Sequence, residues 1–308
     1  MRCRYTGDHS RLQESNALLF RARQLNFLTL PKRIPDQKWI FYEFEPPYKT
    51  WKRANLTQYN GLFNLTATYS FDSDIPIHES VNCVRDTSKL QSLRDVDYTV
   101  KKRGDVLVTW FVSICSTQSK REDYVKEMQK HMPVDIYGGC GPLRCGTNTP
   151  RNWKREGCLE RLLHGNGSYK FYLAFENSFC DDYVSEKLWK VMNLDVVVVV
   201  MGAADYSQIL PQDSYIDVRN YATPKELADY LRYLDANDEK YNEYIRNKAS
   251  LKCEGDTQMP FQCKLCKHLH ETKGKARVIY DLAEFWGSRR CYNPKEFLRV
   301  QANDKFKK

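Results

Sequence analysis

No uninterrupted apolar stretch in this 308-residue chain approaches the ~20 residues that a membrane-spanning helix needs. The longest candidate, Val196 to Met201, is only six residues long. As written, the sequence carries no segment that crosses a bilayer. Its start, MRCRYTGDHSRLQES, is polar and lacks the apolar core of a signal peptide. Internal repeats and low-complexity blocks are missing too. A hydrophobic content of 42% with 28% charged residues is that of a globular protein, so disorder is not the default.

Cysteine is plentiful. Eleven cysteines (3, 83, 115, 140, 145, 158, 180, 253, 263, 266 and 291) are many for a reducing compartment, and the odd number leaves at least one thiol unpaired or bonded between chains. Three N-x-S/T sequons, at Asn55, Asn64 and Asn166, are candidate N-glycosylation sites. Together these signals favour a secretory-pathway protein whose targeting segment is absent from this sequence. The net charge of +9 is uneven, since residues 264–308 hold twelve Lys and Arg against five Asp and Glu. Such a stretch can bind an anionic partner, but a solvated basic end explains it more simply.

The first hundred residues contain the aromatic and β-branched runs KWIFYEF (38–44) and LFNLTATYSF (62–71), each predicted as a strand. The charged KKRGD (101–105) reads as a linker and places a domain boundary there. Beyond it, strand and helix alternate. DVLVTWFVS (105–113) predicts a strand buried on both faces, residues 119–132 a helix, and VDIYGG (134–139) the next strand. A second βαβ unit follows, with a strand at 170–175, a helix at about 184–193 and a strand at 196–201. SYIDV (214–218) is a further short strand. Thr223, Pro224 and Glu226 then form a helix start with a capping box. Repeated crossovers imply a parallel sheet that binds ligands at the carboxyl ends of its strands.

Glu176 and Asn177 fall at such an end. The next helix starts near Ser185 with Lys187 in its first turn, where the helix dipole disfavours a cation by a few tenths to ~1 kcal/mol. An anion such as a diphosphate would reverse that sign. The alternative is a lysine extended into solvent.

FENSFCDDYVSEK (175–187) resembles the signature of the α1,3-fucosyltransferases of glycosyltransferase family 10. The order of SNALLFRARQL, FYEFEPP, LFNLTATYSFDSDIPI, DIYGGCGPLRCG and MGAADYSQILPQDSYIDVRNY agrees over nearly the whole chain. This resemblance implies an α/β fold of the GT-B type, with two Rossmann-like domains and a donor cleft between them. The acceptor-side domain would span 1–100 and lack its first strand, the GDP-fucose-binding domain 101–290, and a basic tail 291–308. It further implies donor contacts from Arg121, Asn177, Tyr183, Glu186 and Lys187. Lys187 and Arg121 would face the diphosphate, Arg121 with a planar fork that lysine lacks, and Glu186 the sugar hydroxyls.

The implied reaction is inverting transfer of L-fucose from GDP-β-L-fucose to the 3-hydroxyl of GlcNAc in a glycan. Its proton acceptor would be Glu45, with Glu43 in reserve on the same strand face. No cofactor is required and a divalent metal is at most stimulatory. Full-length relatives would sit in the Golgi lumen as type II membrane proteins, on an N-terminal anchor absent here. Pro46, Ser70-Phe71 and Ala203 differ from the residues usual in the family. A catalytically inactive sugar- or nucleotide-sugar-binding relative is the alternative.

Two other constellations compete. Cys263-x-x-Cys266 with His268 and His270 suggests zinc, and a zinc-stabilised nucleic-acid binder is the reading it would support. Disulfides among Cys253, Cys263, Cys266 and Cys291 are the preferred expectation, and no nucleic-acid partner is expected. Asp72-Ser73-Asp74 resembles the manganese-binding D-x-D of glycosyltransferases with another fold, but with Arg121 and Lys187 as cations no metal site is expected. Cys180 reads as a free thiol near the nucleotide or as a small buried residue.

Overall fold

The aromatic run around residue 40 lies at the centre of a three-stranded parallel sheet. In the computed structural model, which describes residues 2–77, 80–145, 157–255 and 259–298, the strands are β1 (Ala17–Arg21), β2 (Lys38–Glu43) and β3 (Leu65–Thr68), in the order β1-β2-β3. The registers Ala17↔Lys38 and Ile40↔Leu65 carry Glu43, the last residue of β2, opposite Thr68. Strand periodicity divides the side chains of β2. Trp39 and Phe41 enter one apolar cluster, with Phe20, Phe63 and Trp286, while Ile40 enters another, with Leu65, Ile75 and Leu265. Trp286 is fully buried, 6.1 Å from the Phe41 ring centroid, and its Nε1 donates to Thr50 Oγ1.

This sheet belongs to a unit made of residues 1–79, 180–183 and 254–291. The compact units divide the chain differently from the expected boundaries. Residues 254–290, expected in the second domain, complete the first. Cys266 is bonded to Cys3, Ile279 N donates to Phe63 O, and the helix Leu282–Phe285 brings Leu282 into the same core. Residues 80–100 leave it. β4 (Ser80–Arg85) pairs with a strand near residue 253, Cys83 is bonded to Cys253, and the Asn242 amide joins Asp97 Oδ1 to Tyr98 N. Of the stretch 291–308, residues 299–308 lie outside the described residues.

The second unit, residues 80–179, 184–253 and 292–308, contains the expected alternation. Its strands are β5 (Val108–Phe111), β6 (Val134–Tyr137), β7 (Phe171–Phe175), β8 (Val197–Met201) and β9 (Ile216–Asp217), all parallel, in the order β6-β5-β7-β8-β9. The strand near residue 253 is β10 (Leu251–Gly255). β7 and β8 are buried at every position. On β7, Phe171, Leu173 and Phe175 face the helices Arg121–Met128, Pro224–Asp235 and Asp238–Ala249, and Tyr172 and Ala174 face the layer of Leu163, Leu188 and Val191.

Helices thus cover both faces, and the strand order reverses direction between β5 and β7. Such a switch point opens a crevice at the carboxyl ends of the two strands. The cap at Thr223 is as predicted for Thr223 itself, whose hydroxyl accepts from Glu226 N, worth about 1 kcal/mol. The Glu226 carboxylate reaches back one residue further than expected, to Ala222 N. The helix expected over 184–193 is a single turn, Glu186–Trp189.

Candidate active site

The loop after β5 is fastened to the loop after β7 at the switch point. Ser119, fully buried, donates from its N to Asn177 O at 3.2 Å and from its Oγ to Glu176 O at 2.6 Å. Gln118 Oε1 accepts from Phe179 N, and the Cys115–Cys140 disulfide ties the β5 loop to the chain after β6. Arg121 opens the next helix. It is 3% exposed, so it is not a surface arginine. Its Nη1 donates to Phe175 O, the last carbonyl of β7, at 2.6 Å, and its guanidinium lies 5.5 Å from the Trp110 ring centroid.

Asn177 is also buried, and its Oδ1 and the neighbouring Ser178 Oγ have no hydrogen-bond partner among the described residues. Buried polar atoms are nearly always satisfied, so two orphans side by side at a switch point mark a place where a ligand's donors fit.

Lys187 is where the structure departs most from the expectation. Its Nζ donates to Glu176 Oε2 at 2.9 Å and to Ser185 Oγ at 2.5 Å. Glu176 is 1% exposed, and its Oε1 accepts from Ser185 N at 2.8 Å. The anion beside the first-turn lysine is therefore a side chain of the protein. One turn of helix also has little dipole to offer. Gly202, just past β8, makes room chiefly for Tyr206, whose Oη a Cβ would strike, while Glu176 Cγ would lie 3.4 Å from it. Glu186 is half-exposed, 3.8 Å from Lys187. Burial would raise its carboxyl, but Lys187 and Lys190 outweigh it and hold the group below the usual carboxylate range.

Arg121, Asn177 and Lys187 thus meet on one edge of one sheet, joined through Glu176 and Ser119, with Glu186 beside Lys187. Tyr183 belongs to the first unit, where its ring lies 5.0 Å from Tyr69. The segment 180–183 is held there by the Cys180–Cys291 disulfide and by Asp182, whose Oδ2 accepts from Ser70 Oγ and Phe71 N. Cys180 is therefore no free thiol.

In the same unit Glu43 is fully buried. Its Oε1 accepts from Phe44 N and Glu45 N, and its Oε2 from Arg23 N. Glu45 keeps its side chain partly exposed, with Oε1 3.3 Å from Arg23 Nη1. Glu43 is thus committed to holding the turn after β2, whereas Glu45 is reachable from solvent.

The remaining expectations sort on geometry. Asp72 is engaged by Arg290, and Asp74 by Thr66 and, at 2.6 Å, by Arg277, so the D-x-D carboxylates turn to different partners. Cys253, Cys266 and Cys291 pair with Cys83, Cys3 and Cys180, not with one another, and Cys145 pairs with Cys158. Cys263 is the free, exposed thiol, so the C-x-x-C offers one thiol where zinc wants two; Cys3, Cys266 and His270 cluster around the disulfide. Asn55 and Asn166 are exposed. Asn64 is 7% exposed, with its Oδ1 accepting from Trp39 N and its Nδ2 donating to Arg277 O, so its amide nitrogen is taken into the fold.

Ser119 was missed as a site residue, and Glu176, placed at the ligand-facing strand end, was given no role there. Both read as strand or loop flanks, and only the strand order reveals that they sit across the switch point.

Comparison with known proteins gives the chain a family. The family model "Glycosyltransferase family 10 (fucosyltransferase) C-term" matches residues 100–286, and "Fucosyltransferase, N-terminal" matches residues 1–79. Alpha-(1,3)-fucosyltransferase C of Drosophila melanogaster is 34% identical over 290 residues, which cover 88% of this chain and 65% of the relative. Glycoprotein 3-alpha-L-fucosyltransferase A of the same organism is 39% identical over 253 residues, covering 80% and 47%. The chain thus spans between about half and two thirds of the length of these relatives. Among solved structures, an alpha1,3-fucosyltransferase with GDP-fucose superposes with a TM-score of 0.53 over 81% of this chain and 78% of the other at 17% identity, which speaks for a shared GT-B fold. The chain belongs to glycosyltransferase family 10, the fucosyltransferases.

Proposed function

We propose that this protein transfers L-fucose from GDP-β-L-fucose to the 3-hydroxyl of a GlcNAc residue in a glycan, with inversion. The observation that carries the reading is the pair of cations, the buried Arg121 and the partly buried Lys187, at the carboxyl edge of β7 beside the orphaned amide oxygen of Asn177. Arg121 would offer its planar fork to the diphosphate and Lys187 a compact charge, so that negative charge developing on the departing GDP is stabilised without a metal ion. Asn177 and Glu186 would receive sugar hydroxyls, and Tyr183 would complete the donor contacts.

Inversion in one displacement calls for a carboxylate that removes the acceptor hydroxyl's proton as the new bond forms. Glu45, accessible and ionically partnered by Arg23, suits this better than the buried, fully engaged Glu43. No cofactor takes part, and added divalent cations would at most stimulate. Five disulfides and exposed sequons at Asn55 and Asn166 support a home in the Golgi lumen. No helix among the described residues is long and apolar enough to cross a membrane.

The test is incubation of the purified chain with GDP-fucose and two acceptors, a terminal lactosamine and an N-glycan core, with the product linkage read by NMR. An α-linked 3-O-fucosyl product is expected, and Glu45→Gln should abolish it while GDP binding, measured by calorimetry, persists. GDP binding without turnover would make the chain an inactive nucleotide-sugar binder. Absence of GDP affinity would overturn the reading altogether, and full turnover in Glu45→Gln would move the proton acceptor elsewhere.

A further inference from the structure

An anion-binding edge is a poor place for a buried carboxylate, yet Glu176 is there, 1% exposed, on the first residue past β7. A carboxylate near an incoming diphosphate costs Coulomb energy in a poorly screened setting, so its presence calls for a compensating service. The contacts identify one. Oε2 accepts from Lys187 Nζ, both oxygens accept from Ser185 Oγ at 2.9 Å, and Oε1 also accepts from Ser185 N. Ser185 Oγ in turn accepts from Lys187 Nζ. One carboxylate therefore fixes the backbone entry to the single-turn helix and the ammonium at its start.

The Glu176 backbone is equally constrained, with its N donating to Met201 O at 2.8 Å and its O accepting from Ser119 Oγ. Lysine has a long, flexible stem, and held this way it loses its rotamer freedom before any ligand arrives.

We infer that Glu176 is a positioning residue that locks Lys187, through Ser185, in the orientation that meets the donor's second phosphate. This rests on the reading of the β7 edge as a diphosphate site. It assigns Glu176 no contact with substrate. Glu176 offsets part of the charge of the resting ammonium, so Lys187 contributes direction together with charge, beside Arg121.

Calorimetric titration with GDP and with GMP separates positioning from mere support, because only GDP presents a second phosphate. The wild-type protein should prefer GDP. In Glu176→Gln, the amide oxygen can still accept from Ser185 N, but the amide nitrogen cannot accept from Lys187. GDP affinity should fall about tenfold, the size of one lost charge-assisted hydrogen bond, while GMP affinity changes less than about twofold. Ser185→Ala, which keeps the backbone donor to Glu176, should show the same selective loss in smaller measure, and guards against a folding defect in the glutamine variant. In a Lys187→Ala background, Glu176→Gln should change the GDP preference no further.

An equal fall of GDP and GMP affinity would make Glu176 structural, a rise in GDP affinity would make it a repulsive competitor, and additive effects with Lys187→Ala would uncouple the two residues. Each overturns the inference while leaving the donor site standing. A wild-type protein that binds GMP as well as GDP would overturn the diphosphate reading and the inference with it.

Discussion

Glu43 and Glu45 lie two residues apart, and replacing Glu43 tests which does chemistry and which holds the fold. The Glu43 carboxylate serves three backbone N–H groups, those of Arg23, Phe44 and Glu45, at 3.0 to 3.1 Å, with Arg21 Nε 3.9 Å away. Glu43→Ala strands all three. A donor that loses a charged acceptor costs ~1–3 kcal/mol, less where water can enter, and Phe44 and Glu45 are partly exposed. The sum is about 3–5 kcal/mol. For a unit of this size that lowers the melting temperature by roughly 10–15 °C.

Glu43→Gln keeps an oxygen for Phe44 and Glu45 but turns an amide donor towards Arg23 N, at a cost of about 1–2 kcal/mol. Scanning calorimetry should therefore rank wild type above Gln above Ala. Fucose transfer measured well below each melting point should fall much less than in Glu45→Gln. A Glu43→Gln variant that melts like wild type yet loses transfer a hundredfold would refute the reasoning and give the proton-accepting role to Glu43.

Burial, against the pull of Asp195 and with the help of Lys102, brings Lys248 down to about 7. An unfolded lysine titrates near 10.4, so between about pH 7 and 10 the unfolded chain holds a proton that the folded one has released. Stability should rise with pH across that window by up to ~1.4 kcal/mol per unit. Melting temperatures of wild type and Lys248→Met should diverge in that direction from pH 7 to 9; parallel curves would show that Lys248 stays charged in the fold. Maleimide labelling of the native, unreduced protein followed by peptide mass spectrometry should tag Cys263 alone, and a second tagged cysteine would break the pairing described. Asn64→Ala should cost about 2–3 kcal/mol in a urea melt, because Trp39 N and Arg277 O lose their partner. Asn55→Gln should be near neutral, and a glycan found on Asn64 would contradict its burial.

Local signals carried the second unit's architecture well. β7 and β8 announce themselves as unbroken apolar runs because both faces are covered, and Thr223-Pro224 is a helix start on any reading. What local signals could not carry depends on distant partners. The helix at 186 stops after one turn, and the carbonyls of Val191 and Leu194 just beyond it are bonded to Lys248 Nζ, more than fifty residues later. Cysteine pairing is equally non-local, since Cys180 finds Cys291 only because both belong to the first unit. Lys187 shows a partial success. Its position does call for an anion, but Glu176 answered that need from eleven positions upstream, at the end of a strand whose place in the sheet order was unknown.

The three-part composition of the first unit sets an order for making it. Phe41 and Cys3 leave the ribosome early, but Trp286 and Cys266, which complete their surroundings, follow some 245 to 263 positions later. At ~5–20 residues per second that interval is on the order of 10–50 s. For that time an aromatic parallel sheet has no finished core, while the second unit's central strands are already out. Residues 1–79 of this unit, synthesised well before the segments that complete it, are thus late to settle, which makes them the natural client of chaperones and the place where destabilising changes should first show as lost yield.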